Sequence, residues 1–425
     1  MFKIGFMILL LPWIVYAHTL PELFQALKHH SQTKVDDLLV QQAKAYEKIA
    51  VSQLYPKINI FAKYDHYTTP TGMVPVPPNN LLSMVKDTSV AQPFSQNIVR
   101  EGISFNMPLF IKSIFTMAKK AKIMEESLNL KRNINLLKNE ALIVVSNENL
   151  LALEAFQKSL DLKEVSLLET KKTLQMKVNN GRAPASALYK LNDGLNQIKI
   201  AKNDSMLQKS KITSVIYALT GIHLTSAIDM NLTKGVTKKA FLASLEPLRK
   251  KILADKLETR MQKEKLYPTV SIQGSYSAAQ AKAYNNDKYT NEKYGSIGMV
   301  VNIPIVNMDM YSQLDLSKVK LEVSKKTFQK MKDELQAQVK MLEDSLAVVK
   351  NSIILYKQNI EDKKQLLKIA KLNYKNTRIS TEEYLRYEDD VVFAKAQLYK
   401  AKANIVQITM QLAVIYANNI EEIVQ

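Results

Sequence analysis

The sequence predicts a mixed α/β membrane protein built as two internal structural repeats, each a pair of β-strands followed by a very long helical hairpin. Three observations carry this. Residues 97–219 and 293–415 match without a gap when the chain is slid along itself by 196 positions, the distance from Arg182 to Arg378. Four short segments alternate apolar and polar residues, and two segments of about 65 residues keep a helical period. A repeat this long settles the architecture ahead of any single motif.

The repeat is seen residue by residue. Asn106-Met107-Pro108 falls on Asn302-Ile303-Pro304, Lys190 on Arg386 and Asp193 on Asp389. Leu54-Tyr55-Pro56 matches Leu266-Tyr267-Pro268 at an offset of 212, so 16 more residues separate Pro56 from Asn106 than separate Pro268 from Asn302. That insertion lies where a hairpin loop would be. Only 10 Gly and 13 Pro in 425 residues favour long uninterrupted helices.

Met-Phe-Lys followed by the apolar run Ile4 to Val15 and then Val15-Tyr16-Ala17 reads as a secretory signal, residues 1–17, cleaved after Ala17. No other segment approaches the roughly 18 apolar residues of a transmembrane helix, so entry into a membrane must use strands. The absence of cysteine excludes disulfides, thiolate metal sites and a lipid anchor at the cleavage site. The single tryptophan, Trp13, lies in the signal. The formal charge of +19 is spread along helices in which Lys alternates with acids, the pattern of a solvated face and not of a nucleic-acid surface.

The first repeat, 18–219, opens on a helical stretch, Leu20 to Leu54, with Pro21 suited to a first turn and a break near Ser31-Gln32. Its strands are expected at about 57–67 and 97–107: Ile58, Ile60, Ala62 and Tyr64 alternate with polar residues, as do Ile103, Phe105 and Met107. Glu101 stands where the second copy has Ile297. Between the strands, a loop from Thr68 to about Gln96 carries five prolines and is expected to be unpacked. The helical hairpin 112–219 turns at a tip, 179–184, and residues 220–237 form a non-periodic connector.

The second repeat, 238–425, begins with a helix over Lys238–Leu266. Strands are expected at about 269–277 and 294–303, around an unpacked polar loop from Ala278 to about Lys293. Its hairpin, 308–417, has its tip at 375–380. Leu335, Val339, Leu342, Leu346 and Val349 on one helix and Val391, Ala394, Leu398 and Ala401 on the other keep a three-and-four spacing that predicts an antiparallel coiled pair. In the first hairpin Lys202 and Lys209 interrupt the matching stripe, so a looser, wetter seam is expected.

Four strands cannot close a barrel, whose smallest members need about eight, and an open edge in lipid leaves unpaired backbone groups at several kcal/mol each. Two copies would supply eight strands and three would supply twelve; only the larger number leaves an open lumen. The signal, the repeated strand pair and hairpin, the Tyr-Pro and Asn-X-Pro punctuation and the Asn-Asn-Gly-Arg and Asn-Thr-Arg turns together resemble the TolC-like outer-membrane efflux proteins over about residues 20 to 420. The resemblance implies a homotrimer with a twelve-stranded outer-membrane barrel continuous with a long periplasmic α-helical coiled-coil tunnel. It also implies docking to a periplasmic membrane-fusion adaptor and an inner-membrane pump of RND, ABC or MFS type. The function it implies is a passive exit duct of a tripartite efflux or type I secretion system, not an enzyme, without cofactor or resident metal.

By the same resemblance the hairpin tips meet the adaptor: Gly181, Arg182 and Ala183 at the first, Arg378, Ile379 and Ser380 at the second. Gly181 suits the left-handed turn after a helix, whereas Asn376 stands where a glycine would be typical. The periplasmic aperture is expected to be narrowed by Asp193, Glu382, Arg386, Tyr387, Asp389 and Asp390, with Arg378 and Arg386 one helical turn from Glu382 and able to pair with it. The string Glu388-Asp389-Asp390 reads equally as a solvated surface. The five His residues show no metal-ligand spacing, and GxSxG, P-loop and GxGxxG motifs are absent. A periplasmic coiled-coil scaffold is the alternative; it leaves the dry faces of both strand pairs unexplained. A secreted helical pore-forming toxin is a third reading, disfavoured because both strand pairs recur in register with their own helices.

Overall fold

The computed structural model describes residues 18–80, 86–87, 89–239 and 242–424; the signal segment 1–17 lies outside them. The elements run α1 (Leu20–His29), α2 (Ser31–Ser52), β1 (Lys57–Gly72), β2 (Phe94–Phe110), α3 (Lys112–Asn179), α4 (Ala185–Thr220), α5 (Glu246–Glu264), β3 (Thr269–Lys282), β4 (Tyr289–Asn302), α6 (Met308–Lys375) and α7 (Thr381–Ile415). The chain falls into two compact units. One, Leu39–Leu128 with Pro247–Phe328, bears the sheet; the other comprises the described residues up to Leu38, Asn129–Glu246, and those from Gln329 onward.

In the sheet unit the strands pair antiparallel in the order β1-β2-β3-β4. Period-two alternation and the register act together, so that like residues fall in rows across the sheet. Ile60 faces Ile103, which faces Tyr276, and Ile58 faces Phe105, which faces Gly274 and then Ile297. Ile60, Ile297 and Met299 are 84%, 76% and 66% exposed on this chain, so the apolar face has no cover of its own. The opposite face carries Asn59, Ser104, Ser275 and Ser296 in one row.

The strands outrun their predicted ends. β1 reaches Gly72 and β3 reaches Lys282, with β4 resuming at Tyr289. The hairpin ends are also packed, against expectation. Met73, Ile98, Ala279 and Ala281 form a small core with Tyr67 beside it, and the side chain of Asn285 accepts from the amide of Gln92 at 3.0 Å and donates to the carbonyl of Val90 at 2.8 Å. Alanines carry little strand signal of their own; here they are held by what packs on them.

In the helical unit α1 is fixed by a capping box, Thr19 with Glu22, and by burial of Leu20, Leu23, Phe24 and Leu27. These join Ile143, Val144, Ile216, Met410 and Ile420 in one core. The connector after α4 is tied into it: Asn147 accepts from the amide of Ile228 at 2.8 Å and donates to its carbonyl at 2.7 Å. The break after α1 falls at His30, whose backbone is extended. The second lead-in helix starts at Glu246 and not at Lys238, because Pro247 belongs in a first turn and the upstream residues are engaged elsewhere: Lys238 pairs with Glu343 at 2.7 Å and Lys239 donates to the carbonyl of Ala417 at 3.0 Å. Lys202 and Lys209 do interrupt the stripe with partly exposed charge, and α3 supplies their acids: Asp161 and Glu164 for the first, Glu154 for the second.

Candidate functional site

The two hairpin tips and the side chains just above them form the candidate site. At the first tip α3 ends on Asn179 and Gly181 takes a left-handed φ of 69°. The amide of Gly181 donates to the carbonyl of Val178 at 3.0 Å and that of Arg182 to Lys177 at 2.7 Å, a Schellman closure. The second tip repeats this with Thr377 at φ 57°, donating to Tyr374 at 3.0 Å, and Arg378 donating to Asn373 at 2.9 Å. The residue in the glycine's place is therefore Thr377, not Asn376. A β-branched residue there costs about 1 kcal/mol or more in backbone energy. Ser380 caps α7 by accepting from the amide of Glu383 at 3.1 Å.

Arg182 and Arg378 are exposed at the turns, while Ala183 and Ile379 tuck against the core of Leu174, Leu191 and Tyr384. Between the tips lies a cavity of about 350 Å³ whose lining includes Arg182, Lys190, Tyr374, Ser380 and Glu382.

Above the tips the first hairpin is linked to α7 at three places. Lys190 of α4 pairs with Glu382 at 2.5 Å, in water on both sides; hydrogen bonding from Lys190 lowers the Glu382 pKa. Lys163 of α3, only 8% exposed, pairs with Asp389. Between these, Ser166 of α3 donates to Glu388 at 2.6 Å and meets the Tyr384 hydroxyl at 3.1 Å. Tyr384 is fully buried, stacks on Tyr374 with centroids 4.8 Å apart, and donates to Glu388 at 2.6 Å. Burial, and then the hydrogen bond to Glu388, push the Tyr384 phenol up to about 12, so it stays a neutral donor at ordinary pH.

Several sequence expectations are corrected here. Glu382 pairs with Lys190 across the hairpins and not with Arg378 or Arg386; Arg386 instead lies over the Tyr387 ring, 5.9 Å from its centroid. Asp390 pairs with Lys363 at 2.7 Å inside the second hairpin, and Asp193 is exposed without an ion pair among the described residues. Glu388 is buried and belongs to no solvated acidic surface. The residues missed were Lys163, Ser166 and Tyr384. Removing the hydroxyl by Tyr384→Phe leaves Glu388 one donor short in a buried site, which costs about 1–3 kcal/mol. A lowered apparent Tm is the expected result, and an unchanged one would show that the hydroxyl contributes nothing.

Among the described residues no group of His, Asp or Glu is placed to hold a metal ion. No described helix is long and apolar enough to cross a membrane. No family model matches the chain, and no curated protein matches it. Solved structures do. The Campylobacter jejuni CmeC outer membrane channel is similar with a TM-score of 0.77 at 16% identity, covering 95% of this chain and 87% of that one. The Vibrio cholerae outer membrane protein VceC gives 0.74 at 12% identity, covering 94% and 96%. A membrane protein from Pseudomonas aeruginosa gives 0.78 at 12%, covering 95% and 91%.

Proposed function

We propose that this chain, which has the fold of the TolC-like outer-membrane channels, is the outer-membrane exit duct of a tripartite efflux or type I secretion system. It conducts substrates passively and carries out no reaction. The observation that carries the reading is the sheet: four strands with one apolar, exposed face, a small polar opposite face, and β1 and β4 as its two edges. Such a sheet is stable in lipid only when other copies pair with both edges. Three copies make a twelve-stranded barrel with a water-filled lumen, and the two repeats, 18–219 and 238–425, each give it one hairpin. The paired helices form a periplasmic α-helical tunnel.

The tips, with Gly181, Arg182, Ala183, Arg378, Ile379 and Ser380, are the surface for a periplasmic adaptor that brings an inner-membrane pump. The links from Lys190 to Glu382, Lys163 to Asp389 and Ser166 to Glu388 hold α7 against the first hairpin, and opening the aperture requires them to part. Arg386, Tyr387 and Asp390 lie on the same stretch of α7, and Asp193 lies on α4, three residues beyond Lys190. Two of the similar structures are named as outer-membrane proteins, and one of them as a channel.

The test is fractionation of the native envelope, with the membrane fraction run unheated and heated and the chain detected by an epitope after Gln425. A heat-sensitive band near three times the monomer in the outer membrane is expected. A soluble periplasmic monomer would overturn the barrel.

A further inference from the structure

The polar face of the sheet changes character toward the hairpin ends. Asn59, Asn106 and Gln273 on that face are exposed, whereas Ile98 and Ala279 on the same face are 0% and 1% exposed. What covers them is the chain that follows β1. Met73, itself 3% exposed, packs on Ile98, Ala279 and Ala281, and its amide donates to the carbonyl of Pro93 at 2.9 Å. The segment therefore folds over the polar side of the strands and does not extend away from them.

Arg100, on that face, holds it there. Its guanidinium donates to Asp65 at 2.5 Å, to the Tyr67 hydroxyl at 3.2 Å, and to the carbonyls of Gly72 and Met73 at 3.2 and 3.5 Å. A planar fork with several donors suits this set of acceptors in a way a lysine would not. The second hairpin closes the other side. Asn285 bonds Gln92 and Val90, and Asn286 and Lys288 each donate to the Ser89 carbonyl at 3.1 Å. Both repeats thus contribute to one latched strap.

We propose that residues 72–80 and 89–94 form a collar inside the exposed mouth of the barrel, that it sets the size of solute able to pass there, and that Arg100 is the residue positioning it. The inference rests on the barrel reading above, in which the polar face lines the lumen; three copies of the collar then stand around one exit. Pore width and lining decide what a channel passes, so this is a selectivity element separate from the aperture at the helical tips.

The chain has no cysteine, so Gln273→Cys places a single thiol on the lumen face, deeper than the collar. On intact cells that thiol is probed from outside with a small maleimide and with a bulky polymer-linked maleimide, which makes the result independent of the periplasmic aperture. In the otherwise native protein the small reagent reacts and the bulky one is excluded. Adding Arg100→Ala raises labelling by the bulky reagent about ten-fold and leaves the small one unchanged. Asn285→Ala, which cuts the latch from the second hairpin without touching Arg100, gives the same direction and serves if Arg100→Ala does not assemble. Equal labelling by both reagents in the native background, or no gain in either variant, overturns the collar. A thiol unreactive to both reagents in every background overturns the lumen assignment, and the collar with it.

Discussion

A Gly102→Val chain is expected to reach the envelope and yet to show no heat-sensitive oligomer. A Cβ at Gly102 would lie 2.4 Å from the carbonyl oxygen of Tyr276 and 2.8 Å from the Cα of Ser277. Both are backbone atoms of β3, so no side-chain rotation relieves the overlap; β2 and β3 must part or kink. That ladder joins the two hairpins of the sheet. Each backbone pair broken in lipid costs several kcal/mol, which is comparable to the whole net stability of an ordinary domain. Gly274 is different, because its Cβ would meet the ring of Phe105, a side chain that can turn away. Gly298 has nothing within 4 Å, so Gly298→Ala should assemble as the native chain does and is the control. A Gly102→Val oligomer at native level on unheated gels would show that the strands separate there at little cost.

The sheet and the hairpins were legible because each rests on a local period that burial enforces. Val270, Ile272, Gly274 and Tyr276 alternate in sequence and share the apolar face in the structure. The collar was not legible, since Met73 sits in a proline-rich run and its partners Ala279 and Ala281 are small, so no period marks either side. The links above the tips were missed for another reason. Ser166 and Glu388 are 222 positions apart and Lys163 and Asp389 are 226 apart, so only the way the hairpins pack brings them together. The i,i+4 rule pointed Arg386 at Glu382, but Lys190 on the neighbouring hairpin reaches that carboxylate first. The repeat does identify the turn residue when its offset is applied strictly: Gly181 maps onto Thr377, and both are left-handed.

Glu140→Gln is expected to stabilise the protein at pH 8 and to remove part of its pH dependence. Glu140 is 3% exposed and sits on α3 between Leu137 and Ala141, at the edge of the core that holds α1. Its carboxyl is pushed up to about 7, first by burial and then by the carboxylate of Glu421, with the Lys28 ammonium opposing. Lys28 is already paired with Glu421 at 2.6 Å, which limits what it can do for Glu140. The sign follows from linkage. The folded state holds this proton more tightly than the unfolded chain, so the favourable contribution is full below about pH 4.5 and is lost as pH rises through about 7. Above that, ionising the buried carboxyl costs about 3 kcal/mol, the equivalent of the shift. Glutamine keeps the shape without the charge, so it avoids that cost at pH 8 and changes little at pH 5. Calorimetric scans of both proteins at the two pH values decide the matter: the variant's apparent Tm should exceed the native one at pH 8 only. A variant no more stable than the native chain at pH 8 would mean that Glu140 remains ionised at no cost, solvated or paired in a way its burial does not suggest.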